Sequence, residues 1–280
     1  MDISKINPPC ILQEMSSSPE KLYAIGNVNL LEEKNLVAIV GSRRATSYGL
    51  KHAHAISESL ANSGVVIVSG LALGIDAAAH RGALDASGKT IAVLGSAIDD
   101  FTPHTNQPLA RRIIDSGGLI LSEYPPKSQT FPSNFVFRNR IIAGLSKATI
   151  VIEAQEKSGA LITADLAIEY NRLVYALPGD VDRANSKGTN QLITKGAVCL
   201  SDVAVILEDL GLAHNKQTVL PLNDLELKVV NSINTNSKNF DKIIQDTGLK
   251  SAELLSILLT LELKAQVKKN ESGEYCAIIN

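Results

Sequence analysis

Residues 135–146 contain side chains that could bind nucleic acid, in the order Phe-Val-Phe-Arg-Asn-Arg-Ile-Ile-Ala-Gly-Leu-Ser. Phe135 lies shortly before Arg138, Asn139 and Arg140, and an apolar helical run follows. Basic and amide side chains at the start of a helix can bind anions, because the first-turn N–H groups lack partners and the helix dipole is positive there. An aromatic ring beside them can stack on a base. A phosphate contact next to a base contact indicates a site for single-stranded nucleic acid.

Four turns rich in glycine and polar residues follow predicted strands elsewhere in the chain. They contain Gly41, Ser42 and Arg43; Gly70 and Gly74; Ser158 and Gly159; and Lys187, Gly188 and Thr189. Each turn alone also fits an ordinary strand–helix connection with solvated side chains. Glycine allows a close approach of the backbone, and the following helix offers free N–H groups. Four such turns after parallel strands predict a shared anion-binding rim.

Catalytic and metal-binding motifs are not evident in the sequence. The five histidines and three cysteines lack metal-ligand spacing, and there is no nucleophile elbow, P-loop or dinucleotide fingerprint. Asp76 and His80 could meet on one face of a helix, but two ligands do not make a metal site. The sequence therefore predicts no catalytic residues, no metal and no cofactor.

The composition indicates a globular protein of the cytoplasm. The chain has 280 residues, 45% hydrophobic and 20% charged, with a net charge of −2. A nucleic-acid site must therefore be a local basic patch on a near-neutral surface. The N-terminus shows no signal pattern and no apolar run approaches membrane-spanning length, so no membrane contact is predicted.

Alternation of apolar runs with helical stretches predicts the fold. The runs cover residues 36–40, 65–69, 90–94, 118–122, 149–153 and 173–177, and the predicted helices cover about 50–62, 74–86, 107–116, 138–146, 159–170 and 188–195. Continuous β-branched runs are typical of strands that are buried on both faces of a parallel sheet. The fold class is therefore α/β, with a doubly wound, mostly parallel sheet, and ligands bind such sheets at the carboxyl ends of the strands. Residues 22–26 could add an edge strand.

The C-terminal part of the chain has a different pattern. Residues 1–210 form the predicted α/β domain, and residues 211–223 form a linker. Residues 224–280 contain three amphipathic helices and an alternating segment that predicts a hairpin. This order predicts a small winged-helix-like domain.

Several of these segments together resemble the DprA/Smf family of bacterial DNA-processing proteins. The matching residues are Gly41-Ser42-Arg43, Ser69-Gly70 with Gly74-Ile75-Asp76 and His80, residues 121–125, residues 138–146, Glu153 with Ser158-Gly159, and Pro178-Gly179 with Gly188-Thr189-Asn190. The resemblance covers roughly residues 20–210. Many members also carry a helical N-terminal domain, so this chain resembles a short-form member or a piece of a longer one.

The resemblance implies an extended Rossmann-like domain that binds single-stranded DNA, forms a homodimer and helps to load the RecA recombinase, as in natural transformation. It further implies that Arg43 holds a phosphate and that Phe135 stacks on a base, a role that Phe131 or Phe137 could share. The other residues implied to line the groove are Asn139, Arg140, Ser158, Gly159, Gly188 and Thr189.

Two other functions remain open at this level. The sheet and glycine-rich turns also resemble the nucleotide-hydrolysing phosphoribohydrolases of the lysine-decarboxylase-like group. That group has a Pro-Gly-Gly-x-Gly-Thr-x-x-Glu motif, of which this chain offers only Pro178-Gly179-Asp180. Alternatively, the C-terminal domain belongs to a scaffold that binds protein or duplex DNA. Its second and third helices carry few basic residues, which favours a protein contact.

Overall fold

The computed structural model describes residues 2–212, 222–233, 237–264, 266–270 and 273–277. The chain divides into two compact units, residues 1–212 and residues 213–280. Most of the predicted linker and part of the predicted hairpin lie outside the described residues.

The N-terminal unit alternates strands and helices. Its strands are β1 Ser4–Ile6, β2 Leu22–Gly26, β3 Leu36–Val40, β4 Val66–Ser69, β5 Thr90–Ala97, β6 Leu119–Tyr124, β7 Ala148–Val151, β8 Leu173–Ala176 and β9 Val198–Cys199. Its α-helices are α1 Cys10–Gln13, α2 Ser47–Asn62, α3 Ile75–Asp85, α4 Gln107–Asp115, α5 Pro132–Phe137, α6 Asn139–Leu145, α7 Gly159–Glu169, α8 Ala184–Thr194 and α9 Val203–Asp209. Two short 3₁₀ helices, Val28–Glu32 and His104–Asn106, connect them.

These strands form one sheet in the order β1-β2-β6-β5-β4-β3-β7-β8-β9. From β6 to β9 all neighbouring strands are parallel, and β1 and β2 add an antiparallel edge. Strands β3 to β6 are added one beside the other in one direction across the sheet. Strands β7 to β9 are added in the opposite direction, starting beside β3. The strand order therefore reverses between β3 and β7, which is the point where such sheets bind ligands. The predicted doubly wound α/β fold is confirmed.

Burial of both sheet faces explains the continuous apolar runs. All five residues of β3 are buried. Ala38 and Val40 pack with residues of α6 and α7 on one face, while Val37 and Ile39 pack with residues of α2 and α3 on the other. Helices therefore cover both faces, as the absence of alternation in the sequence predicts.

The predicted helix over residues 138–146 is wrong at its N-terminal boundary. Helical geometry already begins at Pro132, and Arg138 keeps αR angles between α5 and α6. The Arg138 N–H donates to the Asn134 carbonyl at 2.8 Å. The Arg-Asn-Arg triplet thus lies inside a nearly continuous helical segment, and Arg138 does not supply the unpaired first-turn N–H expected of an anion site.

The C-terminal unit contains the predicted three helices and two paired strands. They are α10 Asp224–Ile233, α11 Phe240–Thr247, α12 Ser251–Leu263, β10 Val267–Lys269 and β11 Tyr275–Ala277, with β10 antiparallel to β11. Leu255 and Leu259 of α12 are half exposed. Lys264 donates to both carboxylate oxygens of Glu226 at 2.7 Å, so its charge is largely paired. Within the described residues, no helix is long and apolar enough to cross a membrane.

Candidate nucleic-acid interface

An open cavity of about 520 Å³ lies at the carboxyl edge of the sheet, at the reversal between β3 and β7. The segments that follow β3, β4 and β7 contribute its walls, together with α5 and α6. Its lining includes Gly41, Ser42, Arg43, Arg44, Ala72, Asp76, Phe135, Val136, Arg138, Asn139, Gln155, Lys157, Ser158, Gly159 and Thr163. The structure thus brings eight of the fourteen predicted site residues to one cavity: Gly41, Ser42, Arg43, Phe135, Arg138, Asn139, Ser158 and Gly159.

The loop after β3 is held rigidly by a buried carboxylate. Glu153 is only 4% exposed and accepts hydrogen bonds from the Thr46 N–H at 2.9 Å and from the Thr46 hydroxyl. The Asn185 amide donates to Glu153 at 3.3 Å and to the Arg44 carbonyl at 2.9 Å. The hydrogen bonds of the Glu153 carboxylate go to Thr46 in this loop and to Asn185 of α8. The carboxylate therefore positions the loop and is not free to act on a ligand.

Arg43 and Phe135 form the most exposed charged and aromatic pair of the cavity. The Arg43 guanidinium carbon lies 5.7 Å from the centre of the Phe135 ring. Arg43 is exposed, and no carboxylate of the described residues forms an ion pair with it. Phe135 is partly buried because its ring packs against Gly95 of β5, where a Cβ would lie 2.7 Å from the ring. The Phe135 ring is therefore held in place by Gly95, and the exposed Arg43 guanidinium lies beside it.

The N-terminus of α7 forms the opposite wall. The Ser158 hydroxyl caps this eleven-residue helix by accepting from the Ala160 N–H at 3.3 Å. Gly159 is exposed, and nothing lies within 4 Å of the position of an added Cβ. The Asn139 side chain donates to the Gly159 carbonyl at 3.3 Å and links α6 to α7. The helix dipole and the neighbouring Lys157 make this wall positive.

Arg138 lines the cavity from below but does not present its charge freely. It is 4% exposed, and its Nη1 donates to the Gly70 carbonyl at 2.8 Å and to the Val93 carbonyl. Burial lowers the pKa of Arg138 to about 10, with the Asp76 carboxylate acting in the opposite direction. Arg138 ties the ends of β4 and β5 together, and the DNA contact predicted for it stays a prediction.

Arg140 lies outside the cavity. Its guanidinium is 4% exposed, and Nη2 donates to the two oxygens of Glu123 at 2.6 and 2.7 Å. The Phe137 ring covers it, with its centre 4.0 Å from the guanidinium carbon. The Arg140 side chain therefore points from α6 towards β6, and the phosphate contact predicted for it stays a prediction.

Gly70 and Gly74 are needed for close packing beneath the cavity. A Cβ on Gly70 would lie 2.6 Å from the Arg138 guanidinium, and one on Gly74, whose φ is +79°, would lie 2.3 Å from the Ser42 carbonyl. The Gly70 N–H donates to buried Asp76 at 3.0 Å. That amide is therefore unavailable to an anion, contrary to the cradle that the sequence predicts. Burial raises the pKa of Asp76, and Arg138 opposes that shift.

His80 lies in the same buried layer and is neutral. The Thr90 hydroxyl donates to the Ile67 carbonyl at 2.7 Å, so it accepts from the Nδ1–H of His80, also at 2.7 Å. Burial, with Arg138 adding to it, lowers the pKa of His80 to about 3. Within the described residues no group of His, Cys, Asp and Glu side chains could hold a metal ion.

The predicted turn of Lys187, Gly188 and Thr189 is wrong, because these residues lie inside α8, which begins at Ala184, and they do not line the cavity. The Gly188 N–H donates to the Ala154 carbonyl at 2.8 Å, and the Thr189 hydroxyl donates to the Ser186 carbonyl at 3.0 Å. Both residues are buried, whereas Lys187 is exposed and lies 3.8 Å from Glu156. Gly188 therefore packs α8 against the segment after β7, and the DNA contacts predicted for Gly188 and Thr189 stay predictions.

Sequence reasoning missed several residues of the cavity. Arg44, Val136, Gln155 and Lys157 line it and were not predicted as site residues. Arg44 directly follows Gly41-Ser42-Arg43, and Lys157 directly precedes Ser158, so adjacency to predicted turns was the available signal. Nothing in the sequence distinguished the outward-facing residues of these turns from the inward-facing ones.

Comparison with known proteins identifies close similarity over both units. Residues 3–211 match the family model of DNA recombination-mediator protein A, and residues 214–271 match that of the DprA winged helix domain. The chain is 35% identical to Protein Smf of Escherichia coli over 96% of this chain and 75% of the relative. It is 46% identical to Protein Smf of Synechocystis over 72% of this chain, but it spans about half, 52%, of that relative's length.

Two solved structures share the fold of the N-terminal part. One is DNA processing protein A from Streptococcus pneumoniae, with 40% identity, a TM-score of 0.69 and coverage of 74% of both chains. The other, from Helicobacter pylori, was described for its single-stranded DNA binding mode; it shows 34% identity and a TM-score of 0.69, over 74% of this chain and 95% of that one.

Proposed function

The chain belongs to the DNA recombination-mediator protein A family, named DprA or Smf in its relatives, and we propose that it binds single-stranded DNA in the cavity between β3 and β7. The observation that carries the proposal is the Arg43–Phe135 pair, with 5.7 Å between guanidinium and ring centre, in the lining of a cavity that also includes the N-terminus of α7. A cation, an aromatic face and helix-terminal amides are the groups that bind the phosphates and bases of a single strand.

Binding begins with the phosphates. Arg43, Lys157 and the first turn of α7 attract the strand and hold successive phosphates on both sides of the cavity. Phe135 then stacks on one base, which contributes on the order of 1–3 kcal/mol. Glu153 contributes indirectly, since it fixes the loop that carries Arg43.

Selectivity for the single strand follows from the position of Phe135. Its ring packs against Gly95 at the back of the cavity, so a base must leave its own stack to reach the ring. The bases of a duplex are stacked and paired, and exposing one costs a few kcal/mol. We expect little dependence on sequence, because every base has a face that can stack.

The proposed role is that of a recombination mediator that protects single-stranded DNA, helps to load the RecA recombinase and works as a homodimer, as in natural transformation. Two subunits would offer two cavities, so avidity would strengthen binding to long strands. The relatives named DNA processing protein DprA, including the one from Streptococcus pneumoniae, support a role in DNA processing.

We further propose that the protein acts without catalysis. Two buried carboxylates support this: Asp76, which lines the cavity, accepts from the Gly70 N–H, and Glu153 accepts from Thr46 and Asn185. The nucleotide-hydrolase alternative is tested by incubating the protein with nucleoside monophosphates and measuring free base. Release of base at a rate proportional to protein would favour the hydrolase.

The proposal is tested by fluorescence anisotropy with a labelled oligo-dT and the matching duplex over a salt series. Wild type is compared with Phe135→Leu, which keeps an apolar contact with Gly95 but lacks an aromatic face. We expect salt-sensitive binding to the single strand, weakened about tenfold or more in the variant. Ile168→Ala, at an exposed apolar residue near the C-terminal end of α7 and outside the cavity lining, is the control. Equal affinity for duplex and single strand would contradict the proposal.

A further inference from the structure

A second aromatic face lies on α5, outside the cavity. Three of the five phenylalanines of the chain, Phe131, Phe135 and Phe137, occur within seven residues, in a sequence with no tryptophan. Phe137 is 50% exposed and does not line the cavity that contains Phe135. Phe135 and Phe137 are two residues apart on a helix, which places their side chains about 200° apart around its axis.

The Phe137 ring lies on an ion pair between Arg140 and Glu123. The Arg140 guanidinium lies behind the ring, with 4.0 Å between its carbon and the ring centre, and Glu123 holds that guanidinium in place. The ring is thereby fixed from one side, while half of its surface faces solvent. A fixed aromatic face binds a flat partner with little loss of conformational entropy.

The Arg140 guanidinium beneath the ring has more donors than its ion pair with Glu123 uses. Nε and Nη1 of Arg140 are buried and have no hydrogen-bond partner among the described residues. The side chain as a whole is only 4% exposed, so solvent does not replace that partner. Leaving donors unpaired is costly. The positive charge draws electron density from the Phe137 ring towards itself, and this favours stacking of an electron-rich flat group, such as a purine, on the outer face.

From this geometry we propose that Phe137, backed by Arg140 and Glu123, is a second stacking platform for a nucleobase of the strand that occupies the cavity. The inference rests on the proposed single-strand binding. Val136, which lines the cavity and is 48% exposed, lies between the two rings and gives an apolar path across α5. The strand leaves the Phe135 cavity across α5, and a base beyond the cavity stacks on Phe137.

The experiment measures affinity for a ladder of single-stranded oligonucleotides from about 4 to about 16 nucleotides, the usual range of site sizes. We expect Phe137→Leu to bind the shortest oligonucleotides like wild type and the longer ones about tenfold more weakly. Phe137→Tyr, which retains the ring, restores the affinity. Phe135→Leu weakens binding at every length. Ile168→Ala is the control, because Ile168 is 52% exposed, lies near the C-terminal end of α7 and does not line the cavity.

A second measurement follows the fluorescence of 2-aminopurine placed at successive positions of a long oligonucleotide. Its fluorescence should be quenched at one position by Phe135 and at a separate position by Phe137, and only the second quenching should disappear in Phe137→Leu. Equal affinity of Phe137→Leu and wild type at every length, or equal loss with Ile168→Ala, overturns the platform and leaves the cavity site intact. Failure of the wild type to prefer single strands overturns both proposals, and the Phe135→Leu result distinguishes the two cases.

Discussion

Arg43 and Arg138 lie on two sides of one cavity, and their surroundings differ completely. Arg43 is exposed on a loop that Glu153 holds rigid, and it lies beside the Phe135 ring. Arg138 is 4% exposed and donates to the Gly70 and Val93 carbonyls. Basic residues of one binding region therefore divide into those that are placed to contact a ligand and those that assemble the wall behind it. The two groups should fail in different experiments.

Removing the buried member should unfold the wall. Arg138→Ala leaves the Gly70 and Val93 carbonyls without this donor and deprives Asp76 of its nearest buried cation, so we expect the free energy of unfolding to fall by about 3 kcal/mol or more. Urea denaturation measures the change. Arg111→Ala, at an exposed position of α4, is the control and should change stability by less than about 0.5 kcal/mol. A stable Arg138→Ala protein that binds DNA weakly would instead make Arg138 a ligand contact.

The buried layer should also respond to pH, through His80. Burial lowers its pKa from 6.5 to about 3 in the folded state, so the stability linked to neutral His80 is present above pH 6.5 and is lost as pH falls towards 3. We expect wild type to lose up to about 1.4 kcal/mol per pH unit through this residue below pH 6.5, and His80→Gln to lose less. Urea denaturation at several pH values measures the slope.

The control for the pH experiment is His104→Gln. The His104 side chain is 74% exposed, so its replacement should leave the slope of stability against pH nearly unchanged. Identical slopes for wild type and His80→Gln would show that His80 is not the residue that resists protonation beneath Arg138.

The division between exposed and buried arginines could not be predicted from the sequence. The β-branched runs predicted the parallel sheet and the edge that holds the cavity, because burial on both faces leaves a continuous apolar pattern. The Arg-Asn-Arg triplet, however, gives no sign of which arginine turns inward. That depends on the tertiary packing, which places Arg138 against Gly70 and Arg140 against Glu123.

Removing the exposed arginine should weaken binding and leave the fold intact. Arg43→Ala should cost about 1.5 kcal/mol of binding free energy, or roughly tenfold in affinity for any single-stranded sequence, because one charge-assisted phosphate contact is lost. The slope of log affinity against log salt should become shallower by about 0.7, the value for one phosphate of a single strand. Anisotropy over a salt series measures both quantities, with Arg111→Ala as the control. An unchanged slope would remove Arg43 from the interface.

The smallest expected effect concerns Gly159, on the wall opposite Arg43. An added Cβ there meets nothing within 4 Å, and the residue is the first of α7, so Gly159→Ala should raise the stability by at most about 1 kcal/mol. The same methyl group projects into the cavity, where a strand that contacts the start of α7 must approach the backbone. We therefore expect a few-fold loss of affinity in Gly159→Ala and a larger loss in Gly159→Leu, measured by anisotropy at fixed salt. If neither variant binds more weakly, the strand contacts the Arg43 side alone, and α7 contributes only its distant positive potential.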